Sequence, residues 1–405
     1  MFRNVEYRLY PTKKQEACLY SQFRLCTELH NRLLEASRES YETFGKTLHL
    51  KDYNKRIVEL KYQEPEFKAV HSQVLQEVGN RLSKTFENFF RRCTEKTDDK
   101  NVKVGYPRFK RIVHSITYPQ NKRAFKVEGN KLSVSKIGRI PIVLHRPVPG
   151  GVKALTIKRN RAGQWFAVFS CEVEMSEPPR HSGPSVGMDQ GLKSFIVGSD
   201  GLVVEPPRFL RKSEKRLIKE QRKLSRKLKG SKNRRKQKRK VARVHLKVTN
   251  QRTDFLHQLS RHLAEEYSLI AVEDLQISRM VHDHRVAKSF NDAGLGTFIE
   301  MMEYKVSETG AQLVKVNPAY TTQTCSRCGQ VKEGADKLTL SDRGYHCHCC
   351  GLDIDRDLNA SINIHRAGLA RIHACGDDVR LPREGAVVAE PGTIRYEIGA
   401  GSPRI

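Results

Sequence analysis

Hydrophobic positions along this chain follow two rhythms, and the points where one gives way to the other mark out its parts. Over 4–11, Val5, Tyr7 and Leu9 alternate with polar neighbours up to Pro11, which predicts a short strand. Leu19, Phe23, Cys26, Leu29 and Leu33 then recur three or four residues apart, as do Val70, Val74, Val78, Leu82, Phe86 and Phe89. That spacing puts one apolar stripe on each of two amphipathic helices and predicts a small helical unit over 12–95. From 114 to 178 the period falls back to two, with strands expected at 131–135, 140–146, 152–159 and 164–174. Asn160-Arg161-Ala162-Gly163 reads as the hairpin turn between the last two. Short strands punctuated by Gly and Pro predict a small β-barrel, with the first strand completing it. The stretch 177–184, EPPRHSGP, is the expected linker and domain boundary.

Beyond the linker, 185–191 (SVGMDQG) reads as a strand that ends in an acid and a glycine turn, followed by a meander through 195–197 and 201–204. Helical spacing resumes through Leu217, Leu224, Leu228, Val241, Val244, Leu256 and Leu259, broken near Gly230-Ser231, which predicts a long helical hairpin. Residues 269–275 (LIAVEDL) form a buried strand ending in acids, and 280–294 read as a loop that is a candidate lid. Asp292 is the expected cap of a helix carrying Leu295, Phe298, Met301, Met302 and Val306. A strand at 312–318 and a short helix holding Leu358, Ile362 and Ile364 follow, and 366–405 lack periodicity, as a flexible tail does.

Charge narrows the choice of partner. Lys and Arg number 74 against 45 Asp and Glu, a net charge of +29, which favours a polyanion and above all nucleic acid. No apolar run is long enough to span a bilayer, and the first residues, MFRNVEYRLYP, lack the apolar core of a secretory signal, so the expected location is the cytoplasm. The charge is also concentrated. Residues 211–240 hold 17 Lys or Arg and two acids, Glu214 and Glu220. Embedded between core elements, this run predicts a positioned phosphate-binding surface that includes Arg222, Lys223, Arg234 and Arg235. Around GYPRFK at 105–110, Tyr106, Arg108, Phe109 and Lys110 interleave rings with cations, and Tyr118 and Phe125 continue the pattern. Such a set suits base stacking, although each ring alone also fits ordinary barrel packing.

Cysteine spacing supplies the first chemistry. Cys325 and Cys328 are two residues apart, as are Cys347 and Cys350, with an 18-residue spacer at 329–346. This is the spacing of a zinc ribbon. Gly329 and Gly351 permit the tight knuckles in which each pair reaches one tetrahedral ion. Four thiolates leave no open position, so the single Zn²⁺ is expected to be structural; Cys349, His346 and His348 lie outside the pattern. The other six cysteines are scattered, and four of them, Cys18, Cys26, Cys93 and Cys171, fall in apolar patterns and read as small core residues.

Acids supply the second. Asp189 ends one strand, Glu273 ends another, and Asp357 starts a helix. Singly, each resembles a surface or capping residue; together, carboxylates brought from separate segments to one sheet edge repel unless cations lie between them. Such a set suits two Mg²⁺ or Mn²⁺ ions, and beside a basic hairpin the chemistry expected is phosphodiester cleavage. Asp355 competes with Asp357. Residues two apart do not share a helix face, so one of them points into the cluster, and the spacing does not say which.

VGMDQG around Asp189, AVEDL around Glu273 and CGLDIDRDLNASINI around Asp357 resemble the split RuvC-like nuclease of the TnpB family, transposon-encoded proteins related to type V CRISPR effectors. YPTKKQ at the start, GYPRFK, IGRIPIVLHRP at 137–147 and NPAYTTQTCSRCG at 317–329 extend the resemblance over nearly the whole chain. It implies a multidomain α+β protein: a wedge β-barrel from 1–11 and 96–178, a helical recognition domain at 12–95 inserted in it, an RNase H-like (RuvC) nuclease split between 179–318 and 354–368, a zinc ribbon at 319–353, and a flexible tail at 369–405. It also implies an RNA-guided DNA endonuclease that holds a guide RNA from the transposon end. The enzyme would check a short transposon-adjacent motif and cut double-stranded target DNA in a prokaryotic cytoplasm, at the nucleoid. The family's D-x-N pattern maps its catalytic acid to Asp357, with Asn359 as partner. Against this stand a guide-dependent DNA-binding regulator, a strand-joining transposase on the same fold and a zinc-ribbon RNA-binding protein. The intact Asp189, Glu273 and Asp357 weigh against a pure binder, and the ribbon and barrel against a transposase.

Overall fold

The computed structural model describes residues 2–98, 104–119, 124–174, 178–280, 282, 284–339, 341–374 and 394–395. The chain divides into two compact units, Met1–Met175 and Ser176–Ile405.

The first unit opens with β1 (Phe2–Leu9), then α1 (Lys13–Phe44), α2 (Leu50–Gln63) and α3 (Ser72–Asp98). Thr12 and Gln15 start α1 with a reciprocal capping box, and Gly45 ends it in the left-handed conformation. Six strands follow: β2 (Ser115–Tyr118), β3 (Phe125–Glu128), β4 (Lys131–Val134), β5 (Gly138–Val143), β6 (Val152–Arg159) and β7 (Trp165–Glu172). With β1 they make a seven-stranded sheet in the order β2-β6-β7-β1-β5-β4-β3. β1 lies at its centre, paired with β7 from Phe2↔Glu172 to Leu9↔Trp165, rather than at an edge. The Asn160 turn joins β6 to β7 as expected, its Gly163 N–H donating to Asn160 O at 3.0 Å. β2 and β3 were not expected individually; each, like β4, is only four residues long, the shortest run in which a period of two can be read. Helices and sheet share one core, in which Tyr118 (0 % exposed) and Phe125 (7 %) lie, so the sequence-based expectation of a stacking role does not hold for these two rings.

The second unit carries β8 (Ser185–Gln190), β9 (Ile196–Gly198) and β10 (Leu202–Val204), then the basic hairpin α4 (Phe209–Ser225) and α5 (Lys232–Glu266). Ser231 caps α5 at the predicted break. β11 (Leu269–Glu273), α6 (Ile277–Met280), α7 (His284–Ala293), α8 (Leu295–Thr309) and β12 (Gln312–Val316) follow. Its sheet runs β12-β11-β8-β9-β10, extended at the β10 side by residues 394–395. β12, β11 and β8 are parallel, and β9 is antiparallel to both neighbours.

Two expectations fail here. Residues 284–293 form helix α7 where a loop was expected; Val286, Phe290 and Ala293 supply helical spacing that the polar residues around them conceal. Asp292 does not cap α8, whose N-cap is Gly294 in the left-handed conformation. The Asp292 carboxylate instead accepts from the Leu210 N–H at 3.0 Å and so caps α4, far away in sequence. The last elements are the hairpin β13 (Gly344–His346) and β14 (Asp353–Asp355) and helix α9 (Arg356–Ala374). α9 is longer than expected, reaching into what the sequence suggested was tail. Most of the remaining tail, 375–393 and 396–405, lies outside the described residues.

Candidate active site and metal centre

Strand alternation decides which side chains of the second unit's sheet look the same way. Val186 and Met188 of β8, with Ile270 and Val272 of β11, face a core built with α5 and α8. Ala271 faces the other way, onto Ile364 of α9. Gly187 shares that second face: a Cβ built on it would meet Ser361 O at 2.2 Å and His365 N at 2.3 Å, so α9 rests on its bare backbone. Two residues further along each strand stand Asp189 and Glu273. The parallel register pairs Ala271 with Gly187 and Val272 with Met188, and one more step brings Glu273 level with Asp189. Both carboxylates therefore leave the same end of adjacent strands on the face that α9 covers, and Asp357 lies in the first turn of α9.

Asp189 feels the other two acids. Burial, then the neighbouring charges of Glu273 and Asp357, push Asp189 up to about 7, with Arg356 opposing. Burial raises Glu273 too, against a hydrogen bond from the Thr321 hydroxyl. Asp357 Oδ1 accepts from Arg356 Nε at 3.2 Å and Nη2 at 3.0 Å. Asp355 is engaged elsewhere. Its Oδ1 accepts from the N–H groups of Asp357 (2.9 Å) and Leu358 (3.1 Å), capping α9.

The thiols gather as the spacing predicts. Ligand atoms of Cys325, Cys328, Cys347 and Cys350 all lie within 4.8 Å of one another, and among the described residues this is the one such group; the three carboxylates are less tightly gathered. Cys325 and Cys350 Sγ are 3.6 Å apart, as are Cys328 and Cys347 Sγ. Four sulfurs about 2.3 Å from one ion would stand ~3.8 Å apart, so this cage fits tetrahedral zinc. The knuckles repeat each other: Cys325 N–H donates to Gln330 O and Cys347 N–H to Leu352 O, both 2.8 Å, with Gly329 and Gly351 at positive φ. Backbone N–H groups of Cys350 and Cys349 lower the Cys347 thiol, while burial and hydrogen bonds among the thiols raise Cys328 and Cys350. Tyr345, fully buried, packs beneath the cysteines.

Metal cage and carboxylates are fastened together by α9. Asn359, with no exposed surface, accepts from Ser326 N–H at 2.9 Å and donates to Thr324 O at 2.8 Å. One turn on, Asn363 donates to Thr321 O and Thr324 O, and Arg366 bonds Ser326 O. Thr321, held this way, is the residue that hydrogen-bonds Glu273. Asn359 is thus spent on the first knuckle. Sequence reasoning missed this fastening and Arg356; the only signal was their position beside Asp357.

Of the residues expected to meet nucleic acid, Arg222, Lys223 and Arg235 are exposed on the basic hairpin, with Lys223 3.3 Å from Glu220. Arg234 donates to Leu224 O (2.8 Å) and Lys227 O (2.7 Å), closing the end of α4. In the first unit Arg38 lies over the rings of Tyr106 (5.1 Å) and Phe109 (4.6 Å), and Tyr106 stands edge-on to Phe86 and Phe89. Arg108 is exposed, while the backbone of Lys110 is clamped by Asn31 in both directions, each bond 2.9 Å.

Comparison with known proteins gives the family. A model described as "Probable transposase" (OrfB_IS605) matches residues 168–283, and a "Cas12f1-like, TNB domain" model matches 296–364. A "Helix-turn-helix domain" model matches 1–46, although that stretch here holds one strand and one unbroken helix. A Streptomyces pristinaespiralis protein named "Putative RNA-guided DNA endonuclease" is 34% identical over 415 residues, spanning 100% of this chain and 98% of the relative. A similarly named protein of Escherichia coli, InsQ, is 30% identical over 397 residues, 93% of this chain and 95% of the relative. Among solved structures, the mini-RNA-guided endonuclease CRISPR-Cas phi3 is 10% identical with a TM-score of 0.47, covering 94% of each chain, too distant for its geometry to be carried over. End-to-end identity at this level places the chain in the class of transposon-associated OrfB-type proteins. Within that class it belongs to the TnpB family.

Proposed function

We infer that this chain is the RNA-guided DNA endonuclease of a transposon, cutting target DNA at one site built from Asp189, Glu273 and Asp357. The observation that carries the reading is the placement of Asp189 and Glu273 on one face at the ends of adjacent parallel strands, under the helix whose first turn holds Asp357. The relatives' names point to the same activity, and the net charge of +29 suits a protein that grips guide RNA and double-stranded target DNA by their backbones. In this reading the second unit is an RNase H-like nuclease split around a zinc ribbon, and the first unit joins a wedge barrel to a helical recognition domain. The guide comes from the transposon end, and the duplex is checked for a short adjacent motif.

The donor set fits hard divalent cations: all three groups offer oxygen, and burial, then the charges of Glu273 and Asp357, raise Asp189 and leave the cluster short of positive charge. Bound there, two Mg²⁺ ions would supply an activated water and stabilise the leaving oxygen of a phosphodiester. The chain's own groups prepare the site. The Thr321 hydroxyl holds one oxygen of Glu273, Arg356 pairs with Asp357, and Asp355 caps the start of α9, the helix that carries Asp357. The cysteine cage, whose four thiolates would hold one structural Zn²⁺, anchors α9 through Asn359 and Asn363. Soft thiolates and hard carboxylates keep the two metals apart.

The test is to co-express the protein with RNA from the flank of its gene and supply Mg²⁺ with a plasmid bearing a matched target. Guide-dependent linearisation that is lost in Asp189→Ala supports the reading. Binding without cutting by the wild type refutes it, and joining to a second DNA favours transposition.

A further inference from the structure

The outer face of the β13–β14 hairpin carries donors that the cysteine cage leaves unused. Along 344–348 burial alternates: Tyr345 and Cys347 are buried, whereas His346 and His348 are exposed. β14 keeps the same rhythm, with Ile354 packed against the cysteines and Asp353 exposed. The ladder sets His346 directly opposite Asp353, and residues paired in this way point to the same side. The pleat therefore puts two imidazoles and a carboxylate on one solvent-facing patch, on the side of the hairpin away from Tyr345 and Cys347.

The two rings already stand at a chelating distance. His346 and His348 have ring centroids 5.2 Å apart at an interplanar angle of 77°. Imidazole nitrogens about 2.0–2.1 Å from one tetrahedral ion put their ring centroids ~5 Å apart. Asp353 is within reach across the ladder, where opposite Cβ atoms are about 4.5–5.5 Å apart. The carboxylate is not drawn in as tightly as the cage thiols are. Among the described residues no hydrogen bond or ion pair holds any of the three side chains, so rotation about their exposed χ angles closes the site without moving backbone.

We propose that His346, His348 and Asp353 hold an exchangeable transition-metal ion, separate from the ion of the cysteine cage. Two nitrogens and one carboxylate oxygen, with water in the remaining positions, suit Zn²⁺ or Ni²⁺ and do not suit Mg²⁺, which takes oxygen ligands. With ligands from both sides of the hairpin, the ion staples the second knuckle to β14. β14 ends at Asp355, whose carboxylate caps α9, so the ion also braces the start of the helix that carries Asp357. The inference does not depend on the endonuclease reading, since it concerns metal uptake by the hairpin alone.

The test uses the full chain, purified with its cage filled by zinc and passed over a weak chelator that strips looser ions. Zn²⁺ and, separately, Ni²⁺ are titrated by calorimetry, and metal per chain is counted by elemental analysis. His346→Gln/His348→Gln removes the pair. His245→Gln/His373→Gln removes two exposed imidazoles from α5 and α9 and controls for scattered surface histidines. The wild type and the control should each bind a further ion beyond the cage zinc, and should keep it in about 10³-fold excess Mg²⁺. The His346→Gln/His348→Gln protein should lose it, and Asp353→Asn should weaken it about ten-fold or more. Hydrogen exchange over 353–358 should slow when zinc is added to the wild type and stay unchanged in the variant without the pair. Equal melting temperatures and equal cage zinc before titration show that the variants fold. No further ion in the wild type, the same loss in the control, or a further ion retained without the pair each overturns the site. A bound ion that leaves exchange over 353–358 unchanged overturns the brace.

Discussion

Gly187→Ala isolates what brings Asp357 to its partners. The nearest atoms to the added methyl are Ser361 O and His365 N, at 2.2 and 2.3 Å, with His365 Cα at 2.7 Å. Ser361 O and His365 N are four residues apart on α9, the acceptor and donor of one helical turn, so the methyl presses on backbone that no rotamer change can clear. Ordinary contact begins at 3.4 Å, so β8 and α9 must separate by about 3.4 − 2.2 = 1.2 Å to regain it. Overpacking of this kind costs about 1–3 kcal/mol. In a unit of this size each kcal/mol lowers the melting temperature by about 2–4 °C. Asp357 moves with its helix, and a shift of about 1 Å in a catalytic constellation costs roughly 10²-fold in rate. The assays are guide-dependent plasmid cleavage under single turnover and thermal melting of the same preparation. Gly368→Ala supplies a control, because its Cβ would fall 2.5 Å from Ala271 Cβ. Here the obstacle is a side chain, so adding Ala271→Gly should restore both stability and rate. A Gly187→Ala protein that melts and cuts like the wild type would refute the close-approach argument.

Three further outcomes follow from the same geometry. Cys347→Ser should lower zinc content, measured by elemental analysis, and reduce the melting temperature of the second unit; unchanged stoichiometry would contradict the ligand assignment. Asn359→Ala removes a buried amide that bonds Thr324 O and Ser326 N–H, and should cost about 2–3 kcal/mol and speed zinc loss to a chelator, while an unchanged chelation rate would separate the cage from α9. The metal-free protein should lose stability as pH rises from about 4 to about 7. In that window folded Asp189, pushed up to about 7 from an ordinary 3.8, keeps a proton that the unfolded chain has released. Each unit of that difference is worth about 1.4 kcal/mol. The contribution is whole below pH 4 and gone above 7, and denaturant titrations of Asp189→Asn should show a flatter profile; an equal slope would assign the dependence elsewhere.

Much of this was legible because it is written locally. The cysteine pairs, with glycine after each, identify the cage by spacing alone. Asp189 and Glu273 announce themselves at the ends of apolar runs, and Gly230-Ser231 marks the break in the basic hairpin. What stayed hidden depends on partners remote in sequence. Asp292 looks like the cap of the helix that follows it, yet its acceptor position is taken by Leu210, 82 residues away. Asn359 bonds a knuckle about 33 residues back, and Arg234 serves the end of the preceding helix rather than solvent. The tie between Asp355 and Asp357 turns on where the helix begins: Asp355 precedes α9 and caps it, whereas Asp357 lies in its first turn, a boundary that the spacing of the two acids does not mark.

That tie provides the most direct measurement of the central claim. Asp357→Ala and Asp355→Ala are compared in guide-dependent cleavage of a matched plasmid, with folding followed by thermal melting. Asp357→Ala should retain its fold and lose cleavage by about 10³-fold or more, as removal of a metal-holding carboxylate does. Asp355→Ala should lose a helix cap worth about 1 kcal/mol, melt lower and still cut. Loss of cutting in Asp355→Ala with cutting retained in Asp357→Ala would contradict the site.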